Sequence, residues 1–387
     1  MTSKVAIIIL NWNGWEDTIE CLESVYRIIS PSYDVIVVDN GSGDDSIQKI
    51  KEYAEGKIRV NSKFFDFCQE NKPIYVIEYS KNELEMSDEP ELLSSRETIP
   101  DIIPDIIPYT IPDTIPYTIP DTIPYTIPNT IPNTISNAIP STIQGKNLIL
   151  IKNDNNYGFA EGNNIGIRFA LQKLNPDYIL LLNNDAVVDP NFLNELIIVA
   201  ENDPHIGILG PTVYEYRNPD EIQSAGAKIY WNRGEAVNLT TSKRKRSDEP
   251  DDVDSVIGCA LLAKSELFHK IGYLNKDYFA YLEETEWSVR AHKKGYRIVH
   301  VPKGKIWHKG GATSNKITGF TLYHHTRNRF WFMRMHASKK QYLSCLIHFF
   351  GFRLWMVSGG ILYRQKGKDI LPSFISFFKG IRDGVLP

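Results

Sequence analysis

Apolar positions early in the chain fall in short unbroken runs separated by helical spacing. Val5–Leu10 is a continuous apolar stretch, the pattern of a strand buried on both faces. Ile19, Leu22, Tyr26 and Ile29 follow at helical intervals, with Asp17 placed to cap that helix. Val35–Val38 reads as the second strand. The same alternation resumes at Leu148–Ile151 and continues with a helix from Glu161 to Leu174 and a strand at Tyr178–Leu182. A helix from Asn191 to about Glu201 and strands at Ile206–Gly210, Asp254–Lys264 and Arg297–Val301 complete the series. Strands alternating with helices predict an α/β fold around a mostly parallel sheet. After about Lys316 the chain becomes aromatic, basic and helical.

Residues 61–145 interrupt this pattern. Glu83–Glu97 is acidic, and from Pro100 to Pro132 a proline recurs at every fourth position, within an eight-residue unit Asp-Thr-Ile-Pro-Tyr-Thr-Ile-Pro. Proline at that frequency removes backbone donors and bars a regular helix, so an extended surface insert is expected. An ordered stripe of isoleucines serving a partner is the alternative. The expected organisation is a domain of residues 1–60 and 146–315, an insert of 61–145, and a helical C-terminal region of 316–387.

The 387-residue chain carries a net charge of −4, unlike the basic footprint of a nucleic-acid binder. Four scattered cysteines form no CxxC pair, as expected in a reducing cytosol. No signal peptide is read at the N-terminus. Cys345–Tyr363 is apolar but holds His348 and Arg353. It reads as a buried helix, as an interfacial helix aided by the basic and aromatic run Arg327–Lys340, or as a membrane span. Lys243–Arg246 reads as a solvated loop. Asn238 begins a glycosylation sequon that matters only in an exported chain.

The candidate chemistry sits at strand ends. Asn11 and Asn13 follow the first strand, Asp39 and Asn40 the second, Asn153 to Asn156 the third, and Asn183, Asn184 and Asp185 the fourth. Ligands of open α/β sheets bind beyond the carboxyl ends of the strands, so these polar groups are expected to converge on one crevice. Any single cluster is also explained by turn formation and helix capping.

Six segments together carry a resemblance: Ile8-Ile-Leu-Asn-Trp-Asn-Gly14, Val37-Val-Asp-Asn-Gly-Ser42, Asn156-Tyr-Gly-Phe-Ala-Glu-Gly-Asn-Asn164, Leu181-Leu-Asn-Asn-Asp185, Phe279-Ala-Tyr-Leu-Glu-Glu284 and Trp307-His-Lys-Gly-Gly311. In this order the chain resembles glycosyltransferase family 2, in its rhamnosyltransferase-like branch. The resemblance implies a GT-A type, Rossmann-like fold with a helical C-terminal extension. It implies inverting transfer from a UDP- or dTDP-sugar to a glycan or lipid-linked glycan. The expected location is the cytoplasm, with the basic and apolar C-terminal region offering contact with the inner face of the cell membrane. Asp39 would take the pyrimidine base, with Asn11 and Asn13 beside the nucleotide. Gly158 and Gly162 would allow close backbone approach, and Asn163 would open a helix whose amides favour the anionic donor. Asn183-Asn184-Asp185 stands where the family has Asp-x-Asp, so Asp185, helped by His308, would hold Mn²⁺ or Mg²⁺. Glu284 stands at the position of the family's base, with Glu283 as runner-up, and Glu286 with Arg290 reads as a helix-face ion pair. The departures at Asn183 and Glu284 leave room for a silent nucleotide-sugar or glycan-binding module on the same fold. The proline repeat leaves room for an interaction protein.

Overall fold

The computed structural model describes residues 3–29, 32–81, 83, 147–240, 248–310, 318–365 and 367–386. The expected proline repeat and the basic run at 243–246 lie outside the described residues.

In chain order the elements are β1 (Lys4–Asn11), α1 (Trp15–Val25), β2 (Ser32–Asp39), α2 (Ser46–Ala54), β3 (Tyr75–Ser80), β4 (Asn147–Lys152), α3 (Gly158–Phe169), β5 (Tyr178–Asn183), β6 (Ala186–Val188) and α4 (Phe192–Asn202). There follow β7 (Ile206–Glu215), β8 (Ile222–Ser224), β9 (Ala227–Tyr230), β10 (Glu235–Asn238), β11 (Asp251–Asp252), β12 (Ala260–Lys264), α5 (Ser265–Ile271), α6 (Glu283–Lys293) and β13 (Arg297–His308). The C-terminal helices are α7 (Phe320–His336), α8 (Lys339–His348), α9 (Leu354–Arg364) and α10 (Ile370–Val385).

The main sheet runs β11-β13-β7-β12-β5-β1-β2-β4-β3, with β6 on β13 and β8 on β7. Strands β3, β4, β2, β1 and β5 are parallel. β12 runs antiparallel to β5 and β7, and β7 is parallel to β13. The central strands are apolar throughout because both faces are covered. Val5, Ile7 and Ile9 of β1 join Val35 and Val37 in one core, while Ala6 and Ile8 join Ile36 and Val38 in the other.

Several local expectations change. α1 begins at Trp15 with Gly14 as its cap, so Asp17 lies in the first turn and does not cap. Its carboxylate bonds Lys309 instead. Strand β3, within the span expected to be insert, pairs with β4 along its whole length as the sheet edge. α3 starts at Gly158, several residues before the expected start, which places Asn163 in its second turn. β13 runs on to His308 through an irregularity after Val301.

The C-terminal helices pack on one another around Phe330, Phe349, Ile361 and Phe377. α10 approaches α7 closely: a Cβ added at Gly380 would lie 2.7 Å from Tyr323 O, and one at Gly384 2.9 Å from Arg327 O.

Candidate active site

Parallel strands bring Asn11, Asp39 and Asn183 to one edge of the sheet. The register pairs Asn11 with Asp39 and Leu10 with Asn183. Asn11 Nδ2 donates to Asp39 Oδ1 at 2.7 Å, and Thr18 Oγ1 donates to Asn11 Oδ1 at 2.8 Å. Ser42 closes the turn: its Oγ donates to Asp39 Oδ1 at 2.6 Å and its N–H to Oδ2 at 3.1 Å. Asn13 N donates back to Ser42 Oγ at 2.9 Å, and Gly43 N donates to Asn13 Oδ1 at 2.8 Å. Asn13 holds a left-handed φ of 50°, a region asparagine tolerates. Asp39, at 1% exposure, therefore anchors this turn, with acceptor capacity remaining only on Oδ2.

Other amides serve the scaffold. Asn40 Nδ2 donates to Asn156 Oδ1 at 3.0 Å and Gly158 O at 3.1 Å, and Asn153 Nδ2 donates to Asn40 Oδ1 at 3.0 Å. Asn184, expected beside the donor, instead ties β5 to the first loop through Thr18 Oγ1 at 3.0 Å and Gly14 O at 3.3 Å. Asn163 Nδ2 donates to Phe159 O at 2.9 Å within its own helix.

The two glycines do permit close approach, but to protein. A Cβ at Gly158, where φ is +78°, would lie 2.6 Å from both Phe279 Cδ2 and Phe279 O, and one at Gly162 would lie 2.6 Å from Leu10 Cδ1. Phe279 O also accepts from Phe159 N at 2.6 Å and Ala160 N at 3.3 Å. The first-turn amides of α3, expected to face the donor, thus cap this carbonyl, which takes the place an anion would fill.

Asp185 and His308, far apart in sequence, meet at 3.1 Å between Oδ1 and Nε2. Gln223 Oε1 lies 2.7 Å from His308 Nδ1. A carbonyl oxygen only accepts, so Nδ1 carries the proton there and Nε2 faces Asp185. Asn183 Nδ2 lies 3.3 Å from the same Nε2. Burial opposes charge on this imidazole, but the Cys259 sulfur and the Asp185 carboxylate outweigh it and hold His308 well above the usual histidine range. Burial likewise pushes Asp185 up, and His308 more than reverses it. Lys309 is already paired with both Asp17 and Glu20.

Glu283 and Glu284 open α6. Glu283 is 4% exposed, and its Oε2 has no partner. Glu284 is half-buried and accepts from Thr285 Oγ1 at 3.0 Å. A Cβ at Gly258 would stand 3.6 Å from Glu284 Cγ and 3.7 Å from Phe159, and the adjoining Cys259 O accepts Asn183 N at 2.9 Å. The chain entering reversed strand β12 thereby places Gly258 and Cys259 between the carboxylate pair and the Asp185 end of the crevice. Burial raises both carboxyls, and Glu283 lies well above the glutamate range because the charge of Glu284 adds to its desolvation. The start of α6, where helix amides favour a carboxylate, does not offset that burial. Glu286 forms the expected pair with Arg290, Nε to Oε1 2.9 Å, and also meets His336 Nε2 at 3.0 Å.

Sequence reasoning missed Ser42, Thr18, Gln223, Gly258 and the α7 residues Arg327 and Asn328. Arg327 Nη2 and Asn328 Nδ2 donate to main-chain carbonyls just ahead of Glu283.

The glycosyl transferase family 2 model matches residues 6–66 and 133–272, more than half of the chain. The low-salt glycan biosynthesis hexosyltransferase Agl10 of Haloferax volcanii is 26% identical over 238 residues, 60% of this chain and 75% of that protein. The N-acetylglucosaminyl-diphospho-decaprenol L-rhamnosyltransferase of Mycobacterium tuberculosis is 24% identical over 174 residues, 41% of this chain and 55% of that one. The mannosyltransferase PcManGT of Pyrobaculum calidifontis, solved with GDP-Man and Mn²⁺, aligns with a TM-score of 0.50 at 11% identity, covering 100% of this chain and 88% of that one. The family match runs through the strands carrying Asn11, Asp39 and Asp185 and stops short of Glu284 and His308. This chain belongs to glycosyltransferase family 2 and is a glycosyltransferase of the GT-A fold.

Proposed function

We propose that the chain transfers a hexosyl or deoxyhexosyl group from a pyrimidine nucleotide-sugar, UDP or dTDP, with inversion, to a hydroxyl on a glycan or lipid-linked glycan. The observation that carries the reading is the pair Glu283–Glu284. Two neighbouring carboxyls are both raised by burial, one more than the other, an arrangement that separates acid and base roles. Glu284, the more accessible, takes the acceptor proton as the glycosidic bond to the nucleotide breaks. Glu283 lies enclosed beside it, with its Oε2 unpartnered.

The residues present fit a divalent cation. Asp185 offers a hard oxygen, and Nε2 of His308 would offer a nitrogen once the cation displaces its proton, with the ring oriented by Gln223. No group of three His, Cys, Asp or Glu side chains gathers among the described residues. Two protein ligands suit a Mg²⁺- or Mn²⁺-type site completed by substrate phosphates and water. The bound ion would neutralise the leaving diphosphate. That need is plain because the nearest positive sources, Lys309 and the start of α3, are already engaged.

The C-terminal helices suit a lipid-linked acceptor. Among the described residues, Lys339–Tyr363 is one helix long and apolar enough to cross a membrane. Ile347 at 65% and Trp355 at 71% exposure, with Leu343, Leu371 and Ile375, face outward. We read this face as resting on an anionic lipid interface, with Lys339, Lys340 and Lys379 at the headgroups.

Calorimetry across UDP-glucose, UDP-GlcNAc, dTDP-L-rhamnose and GDP-mannose, each with Mn²⁺, tests the donor reading. A UDP- or dTDP-sugar should bind tightest and release its diphosphate on adding N-acetylglucosaminyl-diphospho-decaprenol or a free glycan. Preference for GDP-mannose would overturn the pyrimidine assignment, and binding without turnover would favour the silent module.

A further inference from the structure

The segment ahead of Glu283 has an unusual backbone. Phe279 sits at φ 65°, ψ −58°, and Ala280 N donates to Tyr278 O at 2.7 Å. That is a γ-turn of the rare, strained kind, centred on a bulky residue. Tyr281 at φ 72° and Leu282 at φ 71° follow, both in the left-handed region. No glycine lies between Gly272 and Gly295 to favour such angles, so surrounding groups must impose them.

Two helices do so. α3 takes Phe279 O through Phe159 N and Ala160 N. α7 takes the rest. The two N–H bonds of Asn328 Nδ2 are shared among three carbonyls, Tyr278 O at 3.0 Å, Ala280 O at 2.8 Å and Tyr281 O at 2.8 Å. Arg327 Nη2 donates to Asp277 O and Tyr278 O, both at 2.8 Å, and its Nε donates to Asn328 Oδ1 at 2.9 Å. That last bond fixes which way the amide points, so its N–H groups face the loop. Asn328 is fully buried. On the same helix His325 stacks on Tyr281 at 4.2 Å, and His324 on Phe279 at 5.3 Å. Four carbonyls from a single turn thus converge on one amide and one guanidinium, immediately before the carboxylate pair.

We propose that Asn328, oriented by Arg327, is a positioning residue for transfer: it holds the 277–282 turn so that Glu284 faces the crevice. The proposal rests on Glu284 being the base. Asn328 is fully buried with its amide on main-chain carbonyls, so it acts through the backbone that carries Glu283 and Glu284. An asparagine that merely staples α7 to the domain would affect stability and turnover together, whereas a positioning role separates them.

The test compares Asn328→Ala with Phe330→Leu. Phe330 is fully buried on the same helix but packs on Phe349, away from the turn, so it supplies a matched loss of stability. Hydrogen exchange of the 277–284 segment is read by mass spectrometry, donor affinity by calorimetry, and turnover by release of dTDP or UDP from dTDP-L-rhamnose or UDP-glucose in the presence of the glycan or lipid-linked acceptor. Asn328→Ala should speed exchange in that segment and cut turnover at least 10-fold, with donor affinity within about twofold. Phe330→Leu, at a similar melting temperature, should do neither. In a Glu284→Gln background Asn328→Ala should cause no further loss, since residues acting as a unit are non-additive. If Asn328→Ala proves too unstable to purify, Arg327→Lys keeps the charge but loses the fork, and it should give the same pattern at about threefold or more. Unchanged exchange and turnover in Asn328→Ala, equal losses in Phe330→Leu, or a further full-sized drop in the double variant would each overturn the proposal. Should Glu284→Gln alone turn over like the wild type, the base assignment fails by itself, and the exchange data still decide whether Asn328 holds the turn.

Discussion

Replacing Glu284 by Gln keeps the side chain's shape and its contact with Thr285 while removing its basicity. Glu284 is half-buried beside Gly258, and Glu283 is enclosed with an unpartnered oxygen. Desolvation raises both, and the charge of Glu284 adds to it at Glu283. Loss of a positioned general base costs about 10²–10⁴-fold in rate, or about 2.7–5.4 kcal/mol of transition-state stabilisation. Single-turnover kinetics at saturating donor should show that drop in Glu284→Gln, with calorimetric donor affinity unchanged. Wild-type turnover should rise with pH along a limb lying above the ordinary glutamate value of about 4.3. Glu283→Gln should keep turnover within several-fold, and its stability supplies an independent check. A carboxyl whose folded pKa is raised stabilises fully below its unfolded pKa and loses that contribution as pH rises through the folded value. Wild type should therefore lose stability relative to Glu283→Gln as pH climbs above the unfolded value of about 4.3, by about 1.4 kcal/mol for each unit of elevation. A dead Glu283→Gln beside an active Glu284→Gln would move the base by one residue. Full activity in both would place it elsewhere, and a melting gap that stays constant with pH would refute the burial argument.

At the other end of the crevice, Asp185→Asn should make donor affinity the same in Mn²⁺ and in EDTA, and Gln223→Ala should weaken Mn²⁺ binding about 10–100-fold by releasing the His308 ring. Wild-type affinity that ignores EDTA would remove the metal from the reading. Exchanging Leu343, Ile347 and Trp355 for serine should abolish co-sedimentation with phosphatidylglycerol vesicles while leaving turnover on soluble acceptors intact. Undiminished sedimentation would return that helix to a role in protein packing.

The central strands were readable because a strand covered on both faces must be apolar at every position, as Val5–Leu10 is. β3 was not: as an edge strand it is only half-buried, and Tyr-Val-Ile-Glu-Tyr-Ser has no such continuity. The Glu286–Arg290 pair was legible from spacing alone, and the meeting of Asp185 with His308 from the resemblance. Gly158 and Gly162 advertised a close approach without naming the approaching group, which proved to be Phe279 and Leu10. Asn184 stands within the motif but serves α1. Arg327 and Asn328 looked like part of a basic, aromatic membrane run, because their partners are main-chain carbonyls, which leave no letter in the sequence.

The bracing of the 277–282 turn by α7, and of α7 by α10, has a consequence for synthesis. The crevice from β1 to β13 can assemble as the chain emerges, but the groups that hold Glu284 in place are made afterwards, and the helix that backs them later still. At about 5–20 residues per second, roughly 5–20 s separate the appearance of Glu284 from the completion of α10. During that interval the proposed donor crevice is complete while the turn that carries the carboxylate is still unbraced. A ribosome that stalls in α8 would leave a product that sequesters donor without spending it.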